Sequence, residues 1–462
     1  MIRKTAVDVI LQCEREGRFL QHELERRLRS LVLDPRDRSL LFELTLGPVR
    51  WRGTLDAVLA AYAPRGLEGQ RPRLREILRQ AVYQFLFLTR VPARAAVDEA
   101  VKLVRETFPD PMPGFANGLL RGVLRGATRR EAAAGPEAPS RRTLRAEGEA
   151  GFEWTFDRDV FPDPLERRAA YLAARFSHPE WLVARWLERL GPDETAALLA
   201  ANDRVAPLAL RVNTLRTTRE ALAARLTAEA GVEAVPVEGA PDSLVLAAGG
   251  AAGAVDRLPG FAEGWFTVQD PTAARVAPLL RPEPGKAYLD IGAAPGGKTT
   301  HLAILAGGAA ARVVAADVSG ERLERVRENA ARLGLASIET VEMDGREAGA
   351  RFGPVFDGVL VDAPCTNTGT LARRCEARWR LDPLDLVALP ELQSALLLGA
   401  AGAVRPDGGR LVYSTCSVEP EENEAVVRRF LAARPDFTLE SESTTWPHRG
   451  RGDGGYAATL TR

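Results

Sequence analysis

The stretch LDIGAAPGGKT, residues 289–299, decides the fold class. An apolar run ends in Asp290 and Ile291, a glycine-rich turn follows, and a helical pattern begins at Lys298. Glycines at such a turn let a ligand approach the bare backbone. Working outward, further apolar strand candidates stand at 287–291, 312–316, 338–341, 358–361 and 410–414. Helical patterns at 298–306, 320–333, 386–404 and 421–434 separate them. This alternation predicts an α/β unit over 263–462: a doubly wound, Rossmann-like parallel sheet with helices on both faces.

The same turn admits two ligands. Gly292, four residues, then Gly297-Lys298-Thr299 satisfies the P-loop spacing of an NTPase, and VLVDAP ending near Asp362 imitates its second acidic strand. Three features oppose phosphate. Pro295 removes a backbone N–H, Asp290 brings negative charge, and Asp317 ends the next strand, where such folds place the acid that holds ribose hydroxyls. S-adenosylmethionine is a nucleoside with a cationic sulfonium and no phosphate, and it suits an acid-lined loop better. The glycine-rich loop and Asp317 are the expected cofactor contacts, and the next acid, Asp344, stands at the sheet end that faces the adenine in this architecture. Asp344, in VEMDGR, equally reads as a turn-forming Asp-Gly.

Two further segments each end a strand candidate with a cysteine: VDAPCTNTG, with Cys365, and VYSTCSVEPEEN, with Cys416. Beyond the carboxyl ends of strands both thiols face the crevice of the cofactor loop. Either alone reads equally as a small buried hydrophobe. Paired thiols beside a methyl donor suit carbon 5 of a pyrimidine. A thiolate adding at carbon 6 makes carbon 5 nucleophilic, and a carboxylate such as Asp362 stabilises charge in the ring. The target base must leave its stack to enter. Geometry alone leaves open which thiol attacks. A helix starting at Pro420 would favour a thiolate at Cys416.

The chain has 462 residues, 45% hydrophobic and 27% charged, an ordinary globular balance. No eighteen-residue apolar run or signal-peptide core occurs, and four cysteines cannot make a disulfide scaffold, so a reduced, cytoplasmic protein is expected without a membrane partner. Cysteines and histidines show no metal-ligand spacing, so no metal is expected. Cys13 reads as core, Cys375 as incidental, His178 as a helix-capping residue and His301 as structural. Only four of the 62 basic residues are Lys, which draws attention to Lys298 inside a motif. Residues 1–130 hold 24 Arg or Lys against 15 Asp or Glu, which suggests a polyanion partner or a solvated Arg-rich surface. Their helical periodicity predicts an all-α domain over 1–130. A flexible linker is expected over 131–164, where large apolar residues thin out, and a small α+β module over 165–262, with LALRVNTL as a half-buried strand.

Together DIGAAPGGKT, DAPCTNTG and YSTCSVEPEEN resemble the Sun-type RNA (cytosine-5) methyltransferases. DPRDRSLLFELTLGPVRW, RQAVYQFLFLTRVP and FANGLLRGVLR resemble the NusB-like RNA-binding domain. The resemblance implies S-adenosylmethionine as cofactor, bound by Gly292, Ala293, Ala294, Pro295, Gly296, Gly297 and Lys298 with Asp317, Asp344 and Asp362, with Cys416 as nucleophile and Cys365 as the thiol that assists release. It also implies 16S rRNA as partner, with cytosine 967 as target, and no obligate protein partner is evident. Two departures stand out: the family often has Cys at the position of Gly292, and CEARW after Arg374 lacks the usual His-Pro or Asn-Pro. A DNA cytosine-5 methyltransferase, a P-loop-like NTPase and a non-enzymatic RNA-binding antitermination-like scaffold are the competing readings.

Overall fold

A computed structural model describes residues 1–63, 66–67, 69–132, 138–146, 151–247 and 255–462. The chain forms two units: Met1–Arg204 with Arg374–Arg380, and Val205–Arg373 with Leu381–Arg462.

The first unit opens with seven helices: α1 (Ile2–Glu16), α2 (Leu20–Arg29), α3 (Pro35–Arg50), α4 (Arg52–Tyr62), α5 (Pro72–Phe87), α6 (Ala93–Thr107) and α7 (Met112–Gly126). Helix α3 starts where Asp34 accepts the amides of Arg36 and Asp37, both at 2.8 Å, with Pro35 pre-set for the first turn. Helix α5 carries the apolar stripe, burying Ile77, Leu78, Ala81, Val82 and Phe85.

The expected linker is in part ordered. β1 (Ala127–Glu131), β2 (Thr143–Ala146) and β3 (Phe152–Phe156) form an antiparallel sheet in the order β1-β3-β2. Leu144, Trp154 and Phe156 are buried, and the Trp154 indole donates to the Leu86 carbonyl at 2.9 Å. These few anchors hold strands whose other positions are polar, so composition hid them. Residues 133–137 and 147–150 of that stretch lie outside the described residues. Helices α8 (Arg168–Arg175), α9 (Glu180–Leu190) and α10 (Pro192–Asp203) also belong to this unit.

The second unit begins with β4 (Ala209–Val212), α11 (Arg219–Ala230), β5 (Ala234–Val237), β6 (Ala240–Leu246) and β7 (Phe266–Val268). Their sheet runs β5-β6-β4-β7, so it extends past the expected limit at 262. β4 is buried along its whole length instead of half-buried, because it is a central strand and Arg211 spends its charge internally. That guanidinium donates to the Gly297 carbonyl at 2.5 Å, to Thr300 Oγ1 at 2.8 Å and to Gln269.

After α12 (Pro271–Ala274) come β8 (Ala287–Ile291), α13 (Gly297–Leu305), β9 (Arg312–Asp317), α14 (Gly320–Leu333), β10 (Ile338–Glu342), α15 (Ala348–Phe352) and β11 (Gly358–Asp362). Next are α16 (Asp385–Ala401), β12 (Arg410–Thr415), α17 (Glu424–Ala433), β13 (Thr438–Thr445) and β14 (Gly455–Thr461). The sheet order is β10-β9-β8-β11-β12-β14-β13. Five strands are parallel, as expected; β13 and β14 are antiparallel additions, so the sheet is mixed. Successive strand residues face opposite layers. Leu289, Val359, Val361, Leu411 and Tyr413 pack in one core, while Tyr288, Leu360 and Val412 pack in the other. Each such buried Leu or Val contributes about 1.5–3 kcal/mol over leaving it exposed. The order reverses between β8 and β11, which opens a crevice at their carboxyl ends.

Candidate active site

The crevice starts at the turn between β8 and α13. Gly292 has φ +76°, and a Cβ there would stand 2.3 Å from the Asp362 carbonyl oxygen. In this chain the ends of β8 and β11 close up against the bare α-carbon, and a side chain there would need a local backbone shift. The turn spends its amides inside the protein. Gly292 and Ala293 donate to the Ala316 carbonyl at 2.9 and 3.1 Å, Ala294 to Asp317 Oδ2 at 3.2 Å, and Gly296 to the Ala293 carbonyl at 2.7 Å. Pro295 has no amide to give. Thr299 donates to buried Asp290 at 2.6 Å. Those four amides are spent, and the Lys298 ammonium that a P-loop aims at phosphates is engaged by Asp362, which disfavours the P-loop reading.

The same residues fit a nucleoside with a cationic sulfonium. Asp317 closes β9 beside the turn, almost buried, and accepts the amides of Ala294 and Ser319 (3.1 Å) with Arg322 alongside at 3.3 Å. Ionised carboxylate oxygens have lone pairs left for ribose hydroxyls. Asp344 caps the short turn after β10, accepting the Arg346 amide at 2.9 Å, and its carboxyl is held below the ordinary value by Arg346. Burial lifts Asp290 to about 7.

Lys298 points to Asp362 rather than away as a loop ligand: Nζ lies 2.7 Å from Asp362 Oδ2, and Ser414 donates to Oδ1 at 3.1 Å. Burial would lower the Lys298 ammonium, but Asp362, and more weakly Asp290 and Cys416, outweigh it and hold the group above its ordinary value. The sequence reading placed Lys298 only with the cofactor. Its rarity among basic residues was the available signal, and its partner lies 64 positions away.

The two thiols are adjacent. Cys365 Sγ lies 3.1 Å from Cys416 Sγ, and Cys416 Sγ lies 3.1 Å from Asn367 Oδ1. Asn367, absent from the expected set, has φ +61° and turns its amide back to the Cys365 carbonyl at 2.8 Å. Asparagine tolerates this backbone better than most side-chain-bearing residues, a local signal that could have marked it. The Cys365 thiol is held well above its ordinary value, first by its hydrogen bond with Cys416 and then by burial.

A buried polar frame holds the two loops together. Glu422 accepts the Thr366 amide at 2.9 Å and Gln393 Nε2 at 3.0 Å; Thr368 and Ser417 hydroxyls meet at 3.0 Å. The Gly369 amide donates to the Cys416 carbonyl at 3.0 Å, and the Gly454 amide to the Gly369 carbonyl at 2.7 Å. Tyr413 donates to the Glu422 carbonyl at 2.6 Å. Helix α17 starts at Glu424, not at Pro420, because residues 420–423 form this frame. His178 is a buried packing residue of the first unit instead of a cap: α9 is preceded by Pro179, and Nδ1 faces the Phe176 carbonyl at 2.5 Å. His301 is buried too. The altered segment after Arg374 lies within the first unit. Arg378 is fully buried there and donates to Asp203 at 2.7 Å and to the Asn202 carbonyl at 2.9 Å; Trp379 donates to the Val49 carbonyl at 2.9 Å. Among the described residues no helix is long and apolar enough to cross a membrane, and no group of three or more potential metal ligands occurs.

Fold and site define a Rossmann-like methyltransferase unit in a chain with an all-helical NusB-type unit. The NusB family matches residues 1–125, an RsmF/B-like ferredoxin-like domain matches 178–252, and the family described as 16S rRNA methyltransferase RsmB/F matches 277–461. A probable ribosomal RNA small subunit methyltransferase B of Synechocystis is 36% identical over 96% of this chain and 92% of its own length. Ribosomal RNA small subunit methyltransferase B of Klebsiella pneumoniae is 34% identical over 100% of this chain and 98% of its own. The crystal structure of PH0851 aligns over 100% of this chain and 98% of its own at 28% identity, with TM-score 0.78. A methyltransferase homolog protein from Pyrococcus horikoshii covers 65% of this chain and all of its own at 26% identity, with TM-score 0.56. The chain belongs to the ribosomal RNA small subunit methyltransferase B family.

Proposed function

We propose that the protein methylates carbon 5 of a cytosine in 16S rRNA through a covalent bond between Cys416 Sγ and carbon 6, in the cytoplasm. The observation that carries this reading is the 3.1 Å approach of two thiols beside the Lys298–Asp362 pair. The family implies cytosine 967 as the target. S-adenosylmethionine, when bound, supplies an electrophilic methyl group on a sulfonium. The Gly292–Lys298 turn, Asp317 and Asp344 would hold its nucleoside.

Cys416 loses its proton to solvent, and its thiolate bonds to carbon 6, which makes carbon 5 nucleophilic. Lys298 favours that thiolate electrostatically. Asp362, anchored by Lys298 and Ser414, accepts from the N4 amino group and orients the ring, while the Lys298 ammonium beside it offsets the negative charge that develops there. Cys365 stays neutral because ionising both adjacent sulfurs is costly. After methylation, Cys365 takes the carbon-5 proton as its own proton passes to the departing Cys416 sulfur. The Sγ–carbon 6 bond breaks and both thiols are restored.

The test is mass spectrometry of rRNA together with denaturing gels. Cys365→Ala should trap a protein–RNA adduct, and Cys416→Ala should form none. Loss of the adduct in Cys365→Ala would reverse the roles. Label from a radioactive methyl donor in DNA instead of RNA would replace the substrate class.

A further inference from the structure

A second concave site lies at the same sheet end, beyond the thiols. It has a volume of about 290 Å³. Trp446 forms part of its wall, and Arg275, Arg449 and Arg451 edge it. All three arginines are exposed, and among the described residues Arg451 has no carboxylate within ion-pair distance. The carboxylate in the lining, Asp453, is matched by Arg373 at 2.9 Å, as is neighbouring Asp270 at 2.8 Å. The pocket is therefore cationic, with an aromatic face.

Its position follows from strand order. The cofactor turn lies at β8 and β9, Asp362 and Cys365 at β11, Cys416 at β12, and the pocket loop joins β13 to β14. Two strand spacings, about 10 Å, separate β12 from β13. Gly455 abuts the chain at Cys416: a Cβ on it would stand 3.7 Å from Cys416 Cα. The loop is also pre-built. Asp453 donates its amide to Asp270 at 3.1 Å, and Thr272 donates to the Asp453 carbonyl at 2.7 Å. The Gly292–Lys298 turn, the two thiols and the pocket thus stand in a row along the sheet end.

We infer that this pocket binds the nucleotide next to the target cytosine, with its base stacked on Trp446 and its phosphate held by Arg275, Arg449 and Arg451. Aromatic stacking with arginine contacts is how single-stranded RNA is gripped. The inference rests on the RNA reading above and deepens it.

The test uses the full chain and a single-stranded oligoribonucleotide carrying the target cytosine, shortened stepwise from each end. The Arg449→Ala/Arg451→Ala double variant should raise KM for RNA by about ten- to a hundredfold and flatten the salt dependence by about one to two units of log–log slope. Trp446→Ala should raise KM roughly tenfold. The double lysine variant should recover most of the salt dependence. On RNA trimmed back to the target on the correct side, wild type and variants should converge. Unchanged KM and salt slope, with S-adenosylmethionine still bound and wild type still methylating RNA, would overturn the inference. Equal losses on trimmed and full RNA would also overturn it, by marking damage to the fold. Wild type that methylates no RNA would overturn the underlying reading instead.

Discussion

Cys365 and Cys375 stand ten residues apart on one stretch of chain, and both thiols are raised above their ordinary value, for different reasons. Burial lifts Cys375 to about 11 inside the first unit, where its sulfur faces the Leu46 carbonyl at 3.6 Å. Cys365 is lifted first by a second sulfur, in a half-open crevice at a strand end. The direction of a shift therefore says little about role. Its cause separates a packed hydrophobe from a thiol paired with a second sulfur at the crevice. The surrounding acids differ likewise: Asp203 is matched by fully buried Arg378, whereas Asp362 keeps partial exposure beside Lys298.

The largest expected break in this contrast comes from Cys416→Ala. Methyl transfer should fall by more than about a thousandfold in a radiolabel assay, as when a covalent nucleophile is removed. Asp362→Asn should cost about 10²–10³-fold in kcat while S-adenosylmethionine affinity, read by calorimetry, moves far less. Arg378→Ala should leave Asp203 buried without its cation and destabilise the first unit by about 3–5 kcal/mol in denaturant unfolding.

Asp290→Asn sharpens the comparison through pH. Burial lifts Asp290 from its usual range to about 7, so the native state keeps a proton that the unfolded chain sheds near pH 4. The resulting stability is present in full below pH 4 and is lost as pH rises through 7. Between those limits thermal unfolding of the wild type should drop more steeply than that of the variant. The smallest effect belongs to Cys375→Ala: about 1 kcal/mol of stability from a small cavity, with methyl transfer unchanged.

Much of the catalytic sheet was legible because its parallel strands are buried on both faces and read as continuous apolar runs. β13, TLESESTT, escaped notice because it is an edge strand with mostly exposed, polar side chains. β1 is polar for the same reason and is held by β3. The thiols and acids declared themselves by standing at strand ends. The Lys298–Asp362 pair did not, because its partners meet only once β8 and β11 lie side by side. The place of residues 374–380 in the first unit was equally invisible, since it depends on contacts with residues hundreds of positions away.

The bare α-carbon at Gly292 has a consequence for engineering. With a methyl group there pressing on the carbonyl of Asp362, strand β11 would have to step sideways or the turn would have to unwind. Either adjustment displaces the carboxylate that Lys298 grips. The setting of Asp362 against Lys298 thus depends on an atom the chain omits, and a side chain grafted here, such as the Cys the family often carries, is accommodated only by a backbone shift that reaches Asp362.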